Sequence, residues 1–526
     1  VIQTTLDGMS RGGIHDHLGG GFHRYATDRQ WFAPHFEKML YDNAQLAPLY
    51  VDAWLATGCE HYRSIATGIC DWVLRDMTAP EGGFYAALDA ESDGVEGKFY
   101  LWTTDEILDA LGSTTGKRFC DAYGATPEGN YHEEATGAAT GANILYRPTQ
   151  NSPRAKPAED KAYPGDPLPK ARERLLAVRR KRIWPHRDEK IIAGWNGLMI
   201  RALSHTGEQT SDTQYVNAAA KAADFLLDKL WDGQILWRYC RDEIPDVKGC
   251  LQDYAFVAEG LLALNAATGQ ARYVDAAQDV FRSLDEQFRD EGNGGYFMSE
   301  ISAKPAMPRV KDVQDRSVPS GNGASALAAI DLYDATGDED QRTRAGSQLH
   351  AFSRILAQSP HATPILCLAA TRYFASTPPG GQDRRPPDAS ASLFPLTADL
   401  FLEDPIPQTG DATAFELRIH IADGYHLSAH GPDERSGERS ELSLTAMGPA
   451  LTLRDLAWPR ARDFAPRYEG SPEQVIEGTF RVRGQLAIES GRNRGNGTHA
   501  MTLRFQACSD RFCLKPMALR LPVPVD

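Results

Sequence analysis

Leu55 to Ala87 reads LATGCEHYRSIATGICDWVLRDMTAPEGGFYAA, and its pattern decides how the chain folds. Thr57-Gly58 stops one helix, because glycine suits the left-handed position after a helix end. Ile65, Ile69, Trp72 and Val73 then fall at helical spacing and predict a second, amphipathic helix. Gly82 and Gly83 turn the chain ahead of aromatic Phe84 and Tyr85. The same order recurs from His205 to Tyr239, from Ala266 to Ser299 and in part from Asp334. Gly207, Gly269 and Gly337 stand at the stops, Gly233 and Gly294–Gly295 at the second turns. A helix pair cannot bury its apolar stripe alone, so repeated pairs stack, either as an open array or as a ring. The recurring aromatic loop favours a closed ring of helical hairpins, since a ring gathers those loops at one mouth.

Upstream lies the densest run of reactive side chains, Gly12 to Tyr50: GGIHDHLGGGFHRYATDRQWFAPHFEKMLYDNAQLAPLY. Gly19, Gly20 and Gly21 permit positive φ or close approach to another surface. After Pro34 the pattern turns helical, with Phe36, Met39, Leu40, Leu46 and Leu49 apolar, which puts His35 and Glu37 at a helix start. Downstream, LDAESDGVEGKFYLW from Leu88 opens with carboxylates, and KFYLW reads as a short strand. Thr104 or Asp105 is placed to cap the next helix. Asn151–Pro169 reads as an exposed loop and Ala171–Arg182 as a basic helix.

The chain has 526 residues and a net charge of −15, which argues against a nucleic-acid binder or an anionic membrane surface. No apolar run approaches the ~20 residues that span a bilayer. Val1 opens in mid-helix-like sequence, which reads as the start of a fragment. Six of eight cysteines are scattered like small buried hydrophobes, and no metal ligand set or cofactor motif stands out. Helical patterning stops near Phe374. Residues 376–394, beginning STPPGGQDRRPPDASAS, are a linker by composition. Beyond it FELRIHIADGYHL, ELSLTAM, GTFRVRGQLAI and HAMTLRFQAC alternate as strands, predicting a β-sandwich of about 130 residues over 395–526.

GGIHDHLGGGFHRYATDRQWFAPHFEKMLYDNA, EGGFYAALDAESDGVEGKFYLW, WNGLMIRAL, DYAF and PSGN resemble the DUF255, or thioredoxin domain-containing, family of the spermatogenesis-associated protein 20 type. The resemblance covers about Val1 to Phe374. It implies an (α/α)6 toroid over residues 1–375, like N-acylglucosamine 2-epimerases and six-hairpin glycosidases, without the family's N-terminal thioredoxin-like domain. Gln252 departs from the pattern, standing where an acidic residue often precedes Asp-Tyr-Ala-Phe. DGYHLSAHGP and FQACSDRFCLKP resemble the N-terminal periplasmic domain of the disulfide-interchange protein DsbD. That resemblance implies an immunoglobulin-like fold, a redox pair at Cys508 and Cys513, and a periplasmic or secreted setting, whereas the remaining residues leave a cytoplasmic one open.

Each candidate site residue carries two readings. His23 with Arg24 and Tyr25 is either an acid/base group with its orienting partners or a hydrogen-bonded loop. His35 and Glu37 are catalytic or serve the helix start. Asp42 faces the mouth or binds a neighbouring hairpin. Asp89 and Glu91 are paired carboxylates, as glycoside hydrolysis needs, or a solvated loop. Phe22, Trp31, Tyr85, Trp102 and Trp195 suit sugar stacking or core packing. Asn196, Asp253, Tyr254, Ser320 and Asn322 line the mouth or pack beneath a hairpin. Cys508 and Cys513 exchange thiols or form an inert bridge. Two functions follow. One is a carbohydrate-active toroid (epimerase, isomerase or hydrolase) binding a sugar or sugar-like molecule. The other is an accessory protein whose toroid binds a client while the cysteines engage a thiol–disulfide partner.

Overall fold

The computed structural model describes residues 2–132, 137–148, 168–241, 247–300, 308–375, 389–393, 395–403, 412–422, 425–428, 443–447, 451–464, 473–488, 499–508, 514 and 517–523. Contacts divide them into two units: Val1–Phe288 with Met298–Arg309 and Arg316–Gly321, and Arg289–Phe297 with Val310–Asp315 and Asn322–Asp526.

The first unit is helical. It contains α1 (Ile2–Arg11), α2 (Leu40–Thr57), α3 (Glu60–Trp72), α4 (Thr104–Leu111), α5 (Ser113–Ala122), α6 (Pro169–Arg179), α7 (Ala193–Thr210), α8 (Thr213–Lys229), α9 (Leu251–Thr268) and α10 (Ala271–Phe288). The hairpins α2–α3, α7–α8 and α9–α10 are the repeated pairs. Their first helices, α2, α7 and α9, pack side by side. Small residues set the closest approach: a Cβ on Gly197 of α7 would lie 2.4 Å from the Phe256 carbonyl oxygen of α9. The outer helices bury one stripe each, in α10 Tyr273, Ala277, Val280, Phe281 and Leu284.

The glycine stops hold at α2 and α9, where Gly58 (φ 69°) and Gly269 (φ 67°) are left-handed. Gly207 differs. Helix α7 runs through it, and Ser211 takes the left-handed position at φ 57°. Gly207 is instead a packing glycine, since its Cβ would meet Val216 at 2.7 Å. The segment after Pro34 also differs from the expected helix. Pro34–His35 pairs with Tyr25–Ala26, and Lys38–Met39 with Ala87–Leu88, so α2 starts only at Leu40. Two-residue pairings, one of them with a partner about 50 residues along the chain, outweigh local helical spacing here. The expected KFYLW strand is a turn, from which only Trp102 bridges, to Asn143. Thr103, not Thr104 or Asp105, caps α4, in a capping box with Glu106.

The second unit holds α11 (Gly321–Thr336, its first residue in the first unit), α12 (Glu339–Ala351), α13 (Ser353–Gln358) and α14 (Pro364–Ala375). Antiparallel sheets follow. The largest runs in the order 389–393, 396–402, 412–421, 479–488 and 451–457. Leu396–Leu402 and Ala412–Ile421 alternate buried and less buried residues along their length, as period-2 strands with one covered face do. Ala389–Leu393 is a strand within the stretch read as linker, of which 376–388 and 394 lie outside the described residues. Among the described residues no helix is long and apolar enough to cross a membrane.

Candidate active site

An Asn near the helix start fixes three of the aromatic loops to the helix that follows. Asn43, in the first turn of α2, accepts from the Phe22 amide (2.7 Å) and donates to the carbonyls of Phe22 (3.0 Å) and Met39 (2.9 Å). Asn196 in α7 makes the same three bonds, to the Phe84 amide (2.7 Å), the Phe84 carbonyl and the Ile192 carbonyl (3.0 Å each). Within the second unit Asn322 holds the Tyr296 amide (2.8 Å), its carbonyl and that of Asp312 (2.9 Å each). In α9 the same place is taken by Tyr254, whose hydroxyl accepts from the Leu236 amide at 2.8 Å. An amide side chain offers both an acceptor and donors, so one Asn satisfies the amide and carbonyl of a residue bridged only to His15, Thr78 or Arg289 respectively. Asn196, Asn322 and Tyr254 are therefore placed under the hairpins. Asp253, also buried, accepts from the Cys250 amide (2.9 Å) and from Arg238 (3.0 Å). Burial raises its carboxyl, against Arg238.

The glycine run bends over a second structural centre. Gly20 and Gly21 have φ of 75° and 77°, and a Cβ on Gly20 would lie 2.1 Å from the Gly68 carbonyl of α3. Under this turn Asp16 accepts from the Leu18 and Gly19 amides (3.1 and 3.0 Å), from both Arg179 Nη atoms (2.8 and 2.7 Å) and from Lys38 Nζ (2.6 Å). Burial opposes the Asp16 charge, but Arg179 and Lys38 overcome it and hold its carboxyl well below the usual range. Burial pulls Lys38 down to about 8 in spite of Asp16. His23 borders this centre. Its ring is buried against Phe36 and Tyr100, with Nδ1 3.0 Å from the Phe36 carbonyl. Burial, with Lys38 adding to it, lowers its imidazole to about 3. A proton carrier working near neutral pH needs the opposite.

The accessible polar groups lie one strand further out. Arg24 Nη1 is 2.9 Å from Glu37 Oε2. His35 lies between two carboxylates, with Nε2 3.3 Å from Glu37 Oε2 and Nδ1 2.7 Å from Glu96 Oε1. Tyr25 stacks on His35 at 5.0 Å. Arg24 also lies close enough to Tyr41 to oppose the rise of its hydroxyl, and the Tyr41 ring meets Trp195 edge-on at 4.7 Å. Next to Tyr41, the Asp42 carboxyl is pushed up to about 7 by burial, with Arg24 opposing and Glu37 adding to the rise. Asp42 Oδ2 is buried with no hydrogen-bond partner. Half-ionised near neutral pH, this carboxyl is suited to take and return a proton.

Arg24, Tyr25, His35 and Glu37 are thus linked through contacts, while Asp42 and the Tyr41–Trp195 pair stand beside them, Asp42 feeling the charges of Arg24 and Glu37. Asp89 is exposed and accepts from the Ala90 amide at 2.6 Å, and Glu91 is exposed on a short hairpin strand paired with Val95–Glu96. Phe22 is fully buried against Tyr50, and Trp102 fully buried under the Arg182 guanidinium. Trp31 packs on Gly8 and Gly12, Tyr85 lies under Arg187, and Ser320 is buried. Cys508 is disulfide-bonded, while Cys513 lies outside the described residues. Among the described residues no group of three or more His, Cys, Asp or Glu could hold a metal ion. The sequence reading passed over Tyr41, Glu96 and Arg179 as site residues. A signal existed for Arg179, which continues the four-residue spacing of Ala171 and Leu175 on the buried stripe of α6.

No family model matches the chain. Among solved structures it is similar to a sugar epimerase from a ruminal bacterium (TM-score 0.41, 11% identity, 68% of this chain and 73% of that one). A family 76 glycoside hydrolase from Bacteroides thetaiotaomicron gives a TM-score of 0.42 at 12% identity, over 71% of this chain and 64% of that one. Likeness at that level adds nothing to the site. Sequence relatives are nearer. An uncharacterized protein of Caenorhabditis elegans is 31% identical over 399 residues, 71% of this chain and 54% of that protein. Human spermatogenesis-associated protein 20 is 36% identical over 395 residues, 69% of this chain and 50% of that protein. The chain spans about half the length of these curated relatives. Over that span it is a homologue of spermatogenesis-associated protein 20.

Proposed function

We propose that the helical hairpins close into an (α/α)6 toroid whose mouth carries out acid/base chemistry on a carbohydrate, as an epimerase, isomerase or hydrolase. The observation that carries this reading is Asp42, a carboxyl titrating near 7 with an unpartnered oxygen beside the Arg24–Glu37 pair. Asp42 moves the proton. Arg24, fixed by Glu37, orients a substrate oxygen. His35, set between Glu37 and Glu96, is the second polar contact. Tyr25 and Trp195 offer ring faces to a sugar. A calorimetric panel of sugars and small glycosides, run on the wild type and on Asp42→Asn, tests it. The reading expects binding by both proteins and turnover by the wild type alone. No binding of any sugar by either sinks it.

A second reading rests on Cys508. Its disulfide, proposed to be shared with Cys513 in an immunoglobulin-like domain resembling that of DsbD, would make the C-terminal region a thiol–disulfide accessory. Resistance of that bond to a strongly reducing thiol buffer on the folded protein counts against it.

A further inference from the structure

A cavity of about 880 Å³ opens beside the acid/base cluster, a size typical of small-molecule sites. Its wall presents more apolar than polar surface, from Val95, Leu101, Ile183 and the Tyr131 ring, with Lys98, Glu106 and Arg182 as charged members. Glu96 lines it too, and Glu96 Oε1 is the atom that meets His35 Nδ1 at 2.7 Å. The cavity and the Arg24–Glu37–His35 cluster therefore share a carboxylate.

The wall is held open. Arg182 donates to the carbonyls of Phe99 (3.0 Å) and Leu101 (2.7 Å), and its guanidinium lies over Trp102. The hairpin Glu91–Glu96 turns through Asp93 (φ 53°) and Gly94 (φ 71°), a tight turn that fixes Val95 and Glu96 in place. Ser92 Oγ ties this hairpin to the Ile183 carbonyl. Yet Val95 and Ile183 are 52% and 62% exposed. Branched aliphatic side chains on a rigid, wet wall are poor partners for an unsubstituted sugar, which presents hydroxyls all round its edge. They are good partners for an alkyl or acyl chain.

We propose that the ligand is a glycoside bearing an aliphatic chain, with the sugar at His35 and Glu37 and the chain in this cavity. The proposal rests on the carbohydrate reading above. Binding of methyl, butyl and hexyl glucoside, each below its micellar concentration, tests it by calorimetry. Burying methylenes tightens binding roughly threefold to fourfold apiece, so hexyl glucoside, with five more, is expected to bind several hundredfold tighter than methyl glucoside if all are buried, roughly 200- to 1000-fold. Ile183→Glu, at an exposed position, is expected to reduce that ratio by roughly tenfold or more. Equal affinities along the series overturn the proposal, as does a ratio that Ile183→Glu leaves unchanged, or no binding at all. 1-Hexanol separates the two readings. If it binds as tightly as hexyl glucoside, with the same sensitivity to Ile183→Glu, the cavity takes an apolar chain but the sugar reading fails.

Discussion

Lys38 Nζ lies 2.6 Å from Asp16 Oδ2 with both side chains sealed from solvent. The ammonium also donates to the Gly20 carbonyl at 2.8 Å and sits between the rings of Trp72 and Tyr100. Removing one member of such a pair leaves the other charge and its lone pairs uncompensated. Lys38→Met keeps the stem and deletes the charge, and is expected to cost about 3 kcal/mol by urea denaturation. A loss below about 1 kcal/mol would mean that Arg179 alone satisfies Asp16.

Asn43 and Asn196 predict a matched pair of defects. Asn43→Ala and Asn196→Ala each strand a buried amide and carbonyl, on Phe22 and Phe84 respectively. Each is expected to lower stability by about 2–4 kcal/mol. Chemical denaturation of the two variants checks this, and similar midpoints for variant and wild type would show that water replaces the side chain.

Asp42 carries a stability cost with a definite sign. Its carboxyl titrates near 7 in the folded chain and near 3.8 when unfolded, so the folded state holds the proton longer. The stability that this gives is complete below pH 3.8 and is lost as pH rises through 7. Asp42→Asn is therefore expected to stabilise the protein at pH 8, by roughly 2 kcal/mol after allowance for partial exposure, while abolishing any turnover. Thermal melts at pH 5 and pH 8 check this. A variant destabilised at pH 8 would contradict the buried, unpartnered carboxyl.

His23 works in the other direction. It titrates near 3 folded against an ordinary 6.5, so below pH 6.5 the unfolded chain takes up a proton that the folded one refuses. Stability falls as pH drops from 6.5 toward 3. His23→Gln is expected to flatten that slope, by about 1.4 kcal/mol for each pH unit at the steepest part. Urea midpoints measured between pH 6.5 and 4 decide it, an unchanged slope placing the proton uptake elsewhere.

The helical repeat was legible because its punctuation is local. Gly58, Gly269 and Gly337 stop helices through a backbone conformation that other residues resist, and Gly294–Gly295 turns for the same reason. The C-terminal strands were legible through period-2 alternation. The start of α2 was not, since the pairing of Lys38 with Leu88 depends on residues that only the fold brings near. The site divides along the same line. Tyr25, His35, Glu37 and Asp42 sit close in sequence and were picked out together. Glu96 reaches His35 from 61 residues away, and nothing local announces it. Asn196 and Asn322 were weighed as mouth residues because an Asn at a helix start looks alike whether it meets a ligand or a buried backbone. His23 was weighed as a proton carrier because sequence carries no measure of burial.

The bond between Asn196 and Phe84 joins positions 112 residues apart in the chain. The segments between them, from the hairpin at Glu91 to α6, are tied back a second time where Arg179 at the end of α6 meets Asp16. Such an excursion is anchored at its base, and closure entropy rises only slowly with loop length. The region that builds the cavity is thus clamped at two places, so a ligand entering it meets a wall that the Asp16–Arg179 pair and the Asn196–Phe84 bond hold from either end.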